Sequence, residues 1–302
     1  MGMLLKDIIN ILKPIQVIGN TSLLVSRVGD LNIHNIDQDI IMWVSKKNTH
    51  LIMEIKAGVL ICPSIEDVSE LNDKCTYLIF DNPRLAFQKV LKLLYSKHQA
   101  HKISETSVIH ETAVIGQNVK IGHFVIIEED CTIDNNTSID HHSIIKKGTK
   151  IGKNVKIGAG CVIGGDGFGY EKNEIGVFEQ IPHIGSVVIC DNVDIGNNTC
   201  IDKGVLNITY IGKHTKIDNL VHIAHGVQIG SNTLIIANAM VAGSVHIGND
   251  VWVAPSASIL NGLTLGNDSL VGMGSVIIKD VPIGSKIVGN PGRPLKADPF
   301  HD

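Results

Sequence analysis

Two histidines stand three positions apart in Val221-His222-Ile223-Ala224-His225-Gly226. Imidazole titrates close to neutral pH, so such a side chain can take a proton from a nucleophile and hand it to a leaving group. If Ile223 points inward from a strand, alternation turns His222 and Ala224 outward and sets His225 at or just past a corner, exposed on the outside. The plainer reading is a surface histidine stacked over its neighbours. The pair could also ligate a metal, but no third Cys, His or carboxylate stands at a recognisable ligand spacing, so no metal site is expected. Two irregular stretches precede it, Gly164-Gly165-Asp166-Gly167-Phe168-Gly169-Tyr170 and Asp202-Lys203-Gly204-Val205-Leu206-Asn207. Each reads as a loop leaving a regular scaffold, where binding groups tend to sit, or as a tolerated insertion.

The scaffold is written in a period of six. An aliphatic residue returns at every sixth position from Ile103 to Ile163, again at Ile189, Ile195 and Ile201, and, after a four-residue shift of phase, from Ile211 to Ile283. A helix needs apolar residues every 3.6 positions and a strand every two, so neither alone explains a sustained six. A parallel β-helix does, with each hexapeptide one short strand plus a turn and three closing a coil. The repeats suffice for about nine coils. The aliphatic residue faces the core, and the Gly, Asn or Asp of each hexad takes the corner where φ is positive.

Residues 1–100 lack this beat. Val59-Leu60-Ile61-Cys62 and Tyr77-Leu78-Ile79-Phe80 read as buried strands, and residues 83–95 as a helix. Asp81 or Asn82 can cap that helix, Pro83 suits its first turn, and Leu85, Phe87, Val90, Leu91 and Leu94 form its apolar stripe. The expected organisation is therefore a small α/β domain over 1–100, a β-helix over 101–288 and a short tail over 289–302, with the polar segment 98–104 as the link.

Composition narrows the partners. With 26 Lys and Arg against 30 Asp and Glu in 302 residues, there is no basic field to attract nucleic acid or anionic lipid. No apolar run reaches the ~18–20 residues of a membrane span, and no signal peptide is visible, so a cytoplasmic protein is expected. The six cysteines are scattered without a C-x-x-C pair, as suits reduced, mostly buried thiols.

The order of these features resembles UDP-3-O-acylglucosamine N-acyltransferase, a lipid A family. It is carried by Phe80-Asp81-Asn82-Pro83-Arg84-Leu85-Ala86-Phe87, the six-residue beat, Gly164 to Tyr170, Ile201-Asp202-Lys203-Gly204 and Ile223-Ala224-His225. The resemblance implies a left-handed β-helix and a homotrimer with sites between neighbouring solenoids. It also implies transfer of an acyl group from a thioester to the amine of a nucleotide-linked glucosamine, with no tightly bound cofactor. It places the general base on His225 and an oxyanion-binding amide on Gly243. Acceptor contacts fall on Asp166, Phe168, Asp202 and His222, and Trp43 stacks on the nucleotide base.

This chain also departs from that family. Met42-Trp43-Val44-Ser45-Lys46-Lys47-Asn48-Thr49 lacks the family's Asn-Pro-Lys-Tyr run, Leu263 replaces a second histidine, and Ser275 and Ile277 stand where some members carry chain-measuring methionines. Gly289-Asn290-Pro291-Gly292-Arg293 resembles instead the segment that hexapeptide acetyltransferases lay along acetyl-CoA, which makes Gly289, Asn290, Pro291 and Arg293 candidate donor contacts. A turn closing the last coil reads equally well. These departures favour a short-chain enzyme, passing an acyl group, expected to come from acetyl-CoA, to a nucleotide-linked amino sugar in surface glycan synthesis. The alternatives are the lipid A N-acyltransferase with an acyl carrier protein donor, and a non-catalytic solenoid scaffold.

Overall fold

The computed structural model describes residues 2–29, 37–54, 58–65, 68–69, 71–95 and 102–294. The chain divides into two compact units, residues 1–99 and 100–302.

The first unit is a five-stranded sheet ordered Gln16–Ile18, Thr76–Ile79, Val59–Cys62, Ile40–Trp43, Arg27–Val28, parallel except for its first pair. Alternation splits the central strands between two clusters, Met42, Leu60, Cys62 and Tyr77 on one face and Ile41, Val59, Ile61 and Leu78 on the other. Burial on both faces is why these strands read as unbroken apolar runs. The helix Pro83–Tyr95 is capped by Asn82, whose Oδ1 accepts from the Leu85 amide at 3.0 Å. Its buried side holds part of the expected stripe. Val90 is buried and Phe87 and Leu94 pack on the same cluster, joined by Pro83 and Ala86, whereas Leu85 and Leu91 are exposed.

The second unit is a parallel β-helix of three sheets with ten, nine and eight strands. Each strand pairs with the one three hexads on, as in Ile121↔Ile139 and Ile139↔Ile157. The aliphatic residues fill one continuous core; Ile133, Ile139, Ile145, Ile201, Ile223 and Val241 are fully buried. The ends are less covered: Ile103 is 45% exposed, and Ile283 is 73% exposed because Val281 takes the inward place at the end of the solenoid.

At many corners Asn, Asp or Gly takes the positive φ, as expected. It falls three positions after the inward residue, at Asn118, Asn136, Asn154 and Asn232 among others, and seldom on the residue directly after it, as at Gly164. The glycine directly after is there for space. A Cβ on Gly116 would stand 2.8 Å from the Asn135 amide nitrogen of the next coil.

Both irregular stretches leave the coil and the ladder resumes after each, with one shift of register between Ile163 and Gly165 where the first departs. Residues between Ile163 and Ile189 form an excursion containing an antiparallel hairpin, Tyr170–Lys172 against Phe178–Gln180, after which Ile151 pairs with Ile189. After the second, Ile201 pairs with Ile223. The two are stitched together, since the Ile184 amide donates to Val205 O at 2.8 Å and the Gly185 amide to Gly204 O at 3.1 Å.

At the far end, Lys286–Val288 turns back to pair antiparallel with Arg293–Pro294, and the Gly292 amide donates to Val276 O at 2.7 Å. Gly289, Asn290, Pro291 and Arg293 thus belong to a hairpin that closes the last coil. The expected tail from 295 on and the link over 98–101 lie outside the described residues. No helix among the described residues is long and apolar enough to cross a membrane.

Candidate active site

His225 follows the inward Ile223 by two positions, and its backbone is held from both sides. Its carbonyl accepts from the Ser244 amide at 2.9 Å, and the next amide, Gly226, donates to Oγ1 of the buried Thr209 at 2.9 Å. The side chain is not the freely exposed one expected at a corner. It is half-buried, because the 164–189 excursion folds back onto it. A methyl group on Gly167 would stand 2.8 Å from His225 Cβ, and one on Gly243 only 2.6 Å from both Cε1 and Nε2. Neither glycine has a positive φ. Each is glycine because an imidazole lies against its Cα.

The Gly243 amide lacks the cap that many of its counterparts in the coil carry. At those corners the amide two positions after the inward residue is capped by a side chain from the adjacent coil. Gln117 donates to Asn135 Oδ1 at 2.6 Å, Ala159 to Asn197 Oδ1 at 2.7 Å and Ser231 to Asn249 Oδ1 at 2.7 Å. Gly243 has no such acceptor among the described residues, so its N–H is a free donor directly beside the His225 ring.

Around this pair lie four ionisable groups. Asp166 pairs with Lys203, Oδ1 to Nζ 2.7 Å, and that hydrogen bond holds its carboxyl below the usual range. Asp202 faces His222 Nε2 at 3.6 Å, and burial pushes its carboxyl up to about 6. His225 is shifted down, first by burial and then by the nearby His183. Such opposed shifts in one cluster are typical of functional sites.

The structure thus brings together His225, Gly243, Asp166, Asp202 and His222. It leaves Phe168 aside, 89% exposed and packed on Tyr170 at 4.9 Å between ring centroids. Trp43 belongs to the first unit, where it stacks on Phe87 at 6.1 Å and lines a pocket of about 560 Å³ with Asn82, Arg84 and Leu85. His183 was missed. It is 5% exposed and meets the His225 ring edge-on at 5.5 Å, yet in the sequence it is one histidine in a polar stretch with no repeat to mark it.

Residues 130–165, 208–243 and 244–279 match the family described as bacterial transferase hexapeptide (six repeats). LpxA from Acinetobacter baumannii is 30% identical, with a TM-score of 0.58 over 64% of this chain and 73% of that one. The chain belongs to the hexapeptide-repeat acyltransferases. Another solved member, a UDP-N-acetylglucosamine O-acyltransferase from Moraxella catarrhalis, is 27% identical at a TM-score of 0.55, covering 64% of this chain and 73% of that one. A UDP-3-O-acylglucosamine N-acyltransferase from Phocaeicola vulgatus is 50% identical over 76 residues, which is 25% of this chain and 22% of that protein.

Curated acyltransferase relatives of this name overturn the preference for acetyl-CoA and a surface-glycan sugar. The structure explains why the argument for it failed. Ser275 and Ile277 are core residues, 0% and 2% exposed, so they line no outer channel and carry no information on acyl length. The outward residue there is Met273, 74% exposed.

Proposed function

We propose that this hexapeptide-repeat acyltransferase moves an acyl group from a thioester to the amine of UDP-3-O-acylglucosamine, a step of lipid A synthesis. The observation that carries the reading is the His225 imidazole lying between Gly167 and Gly243, whose amide is uncapped.

In this scheme the amine nitrogen attacks the thioester carbonyl and a C–N bond forms. His225 removes the proton from that nitrogen as the attack proceeds. The Gly243 N–H donates to the oxygen that becomes an oxyanion. Collapse breaks the C–S bond, and His225 returns its proton to the departing thiolate. The atoms balance with no metal and no resident cofactor. Asp166, Asp202 and His222 are assigned to the acceptor sugar, Trp43 to the nucleotide base, and an acyl carrier protein to the donor. A homotrimer is the proposed assembly.

A second reading, acyl transfer to the hydroxyl of UDP-N-acetylglucosamine, is favoured by the long structural match to the Moraxella catarrhalis enzyme. Free-thiol release from a hydroxyacyl carrier protein separates the two. Release that depends on UDP-3-O-acylglucosamine supports the first, and release only with UDP-N-acetylglucosamine supports the second.

A further inference from the structure

His183 is held at one end of its ring and unpaired at the other. Its Nδ1 lies 2.8 Å from the Ile181 carbonyl, which can only accept, so Nδ1 is the donor and Nε2 is left as an acceptor. Nε2 is buried and has no hydrogen-bond partner. Two glycines of the preceding loop lie against the same ring. A Cβ on Gly167 would stand 2.7 Å from Nε2, and one on Gly169 would stand 3.1 Å from Cε1. The hypothetical Gly167 methyl would also meet His225, 2.8 Å from Cβ and 3.0 Å from Cδ2, so the two imidazoles flank a single glycine. The backbone closes the arrangement, with the Ile181 amide donating to Gly169 O at 2.9 Å.

A buried acceptor without a donor weakens the fold, and an aliphatic side chain of similar bulk would fill this space without that penalty. Packing alone therefore gives no reason for a histidine here. The ionisable groups that influence this corner are Asp166, Asp202, His222 and His225 itself, and none of them bonds Nε2. What Nε2 does adjoin is the glycine that covers one edge of the His225 ring.

We infer that His183 is a positioning residue for His225: it holds residues 167–169 closed against that ring and keeps an acceptor nitrogen beside it while the ring takes up a proton. The inference rests on His225 being the base, and it assigns no further reactant. It makes the excursion part of the catalytic geometry.

Three variants separate the roles. His183→Gln keeps an acceptor near the position of Nε2, His183→Asn keeps only the end that ties to Ile181, and His183→Leu keeps bulk alone. For Asn and Leu, kcat should fall by about tenfold or more while KM stays near wild type, since misplacement of a catalytic group costs rate. Melting temperature should stay within about 2 °C of wild type or rise, and Gln should restore most of the rate. A second readout needs no substrate: carbethoxylation of His225 by diethyl pyrocarbonate, followed by peptide mass spectrometry. It should become at least about threefold faster in Asn and Leu, as the cover opens, and stay at the wild-type rate in Gln.

Wild-type kcat in His183→Leu, or a loss that tracks melting temperature and is not rescued by Gln, overturns the inference. So does unchanged carbethoxylation in both Asn and Leu. If wild type forms no amide yet the carbethoxylation pattern holds, the acyl-transfer reading fails and the positioning role stands. An active wild type with uniform carbethoxylation fails the positioning role alone.

Discussion

The corner at Gln117 and the corner at Gly243 occupy the same place in the hexad, two positions after a core aliphatic residue. At the first, Asn135 of the adjacent coil accepts from the corner amide, and the surface is finished. At the second, the amide is bare, and the side chain of the adjacent coil is an imidazole pressed against the glycine. Beneath both corners the inward residue is aliphatic and packs on the same core, Ile115 partly buried near its start and Val241 fully buried. The difference teaches where this fold has freedom. A β-helix commits its inward residues to packing and leaves its corners to be capped or put to use. The two insertions enlarge that freedom, since both leave the coil and are stitched to each other beside His225.

Removing the imidazole should erase the contrast most completely. His225→Ala is expected to lower turnover by about 10²–10⁴-fold with little change in substrate affinity. A loss confined to KM in steady-state kinetics would make His225 a binding residue. Burial lowers the affinity of His225 for protons, so the base stays neutral to lower pH. The acid limb of kcat/KM should accordingly lie at lower pH than an unperturbed histidine would give.

Gly243→Ala tests the bare amide. The added methyl would stand 2.6 Å from Nε2, and displacing ring or backbone should reduce kcat by about 10²–10³-fold. Gly116→Ala is the control at a finished corner, one position earlier in its hexad. Its methyl would stand 2.6 Å from Asn135 Oδ1, so it should lower melting temperature and leave kcat alone. Equal effects of the two substitutions on kcat would abolish the distinction between the corners.

Asp202 sharpens the comparison through pH. Its carboxyl titrates near 6 in the folded protein, above its unfolded value, so its contribution to stability is complete at low pH and is lost as pH rises through 6. Asp202→Asn removes that loss. Urea unfolding should therefore show the variant more stable than wild type at pH 7, by about 1–3 kcal/mol, with the gap closing toward pH 4. A gap independent of pH would show that Asp202 is not the buried, raised carboxyl described.

The smallest effect is expected in the first unit. Trp43→Ala in the pocket of the first unit should raise KM for the UDP-sugar by about threefold to tenfold, the worth of one stacking contact, and leave kcat unchanged. A fall in kcat at saturating acceptor would count against assigning this pocket to the nucleotide base.

The β-helix was legible because each inward aliphatic residue answers to one local requirement, repeated at one spacing. Ile139 is buried for the same reason as Ile157, whatever happens elsewhere. The candidate active corner was legible in part. His225 and Gly243 could be matched to a family pattern, but the cover over His225 is made by contacts between residues far apart in sequence. His183 lies 42 positions before His225, a separation read directly from their numbers, and no periodicity connects them. Ser275 and Ile277 misled for the opposite reason. They were matched to chain-measuring methionines of some members and taken to mark a missing ruler, although Ile277 sits on the very beat that buries Ile259 below it.

The central claim is amide formation at His225, and the chemistry of the new bond tests it most directly. The protein, supplied with UDP-3-O-acylglucosamine and a hydroxyacyl carrier protein, should yield a UDP-sugar bearing a second acyl group by mass spectrometry. After mild alkali, which hydrolyses esters and spares amides, that added acyl group should remain while the 3-O-acyl group is lost, and His225→Ala should form the product at least about 10²-fold more slowly. An added acyl group that alkali removes, or an amide made equally fast without the histidine, would contradict the account.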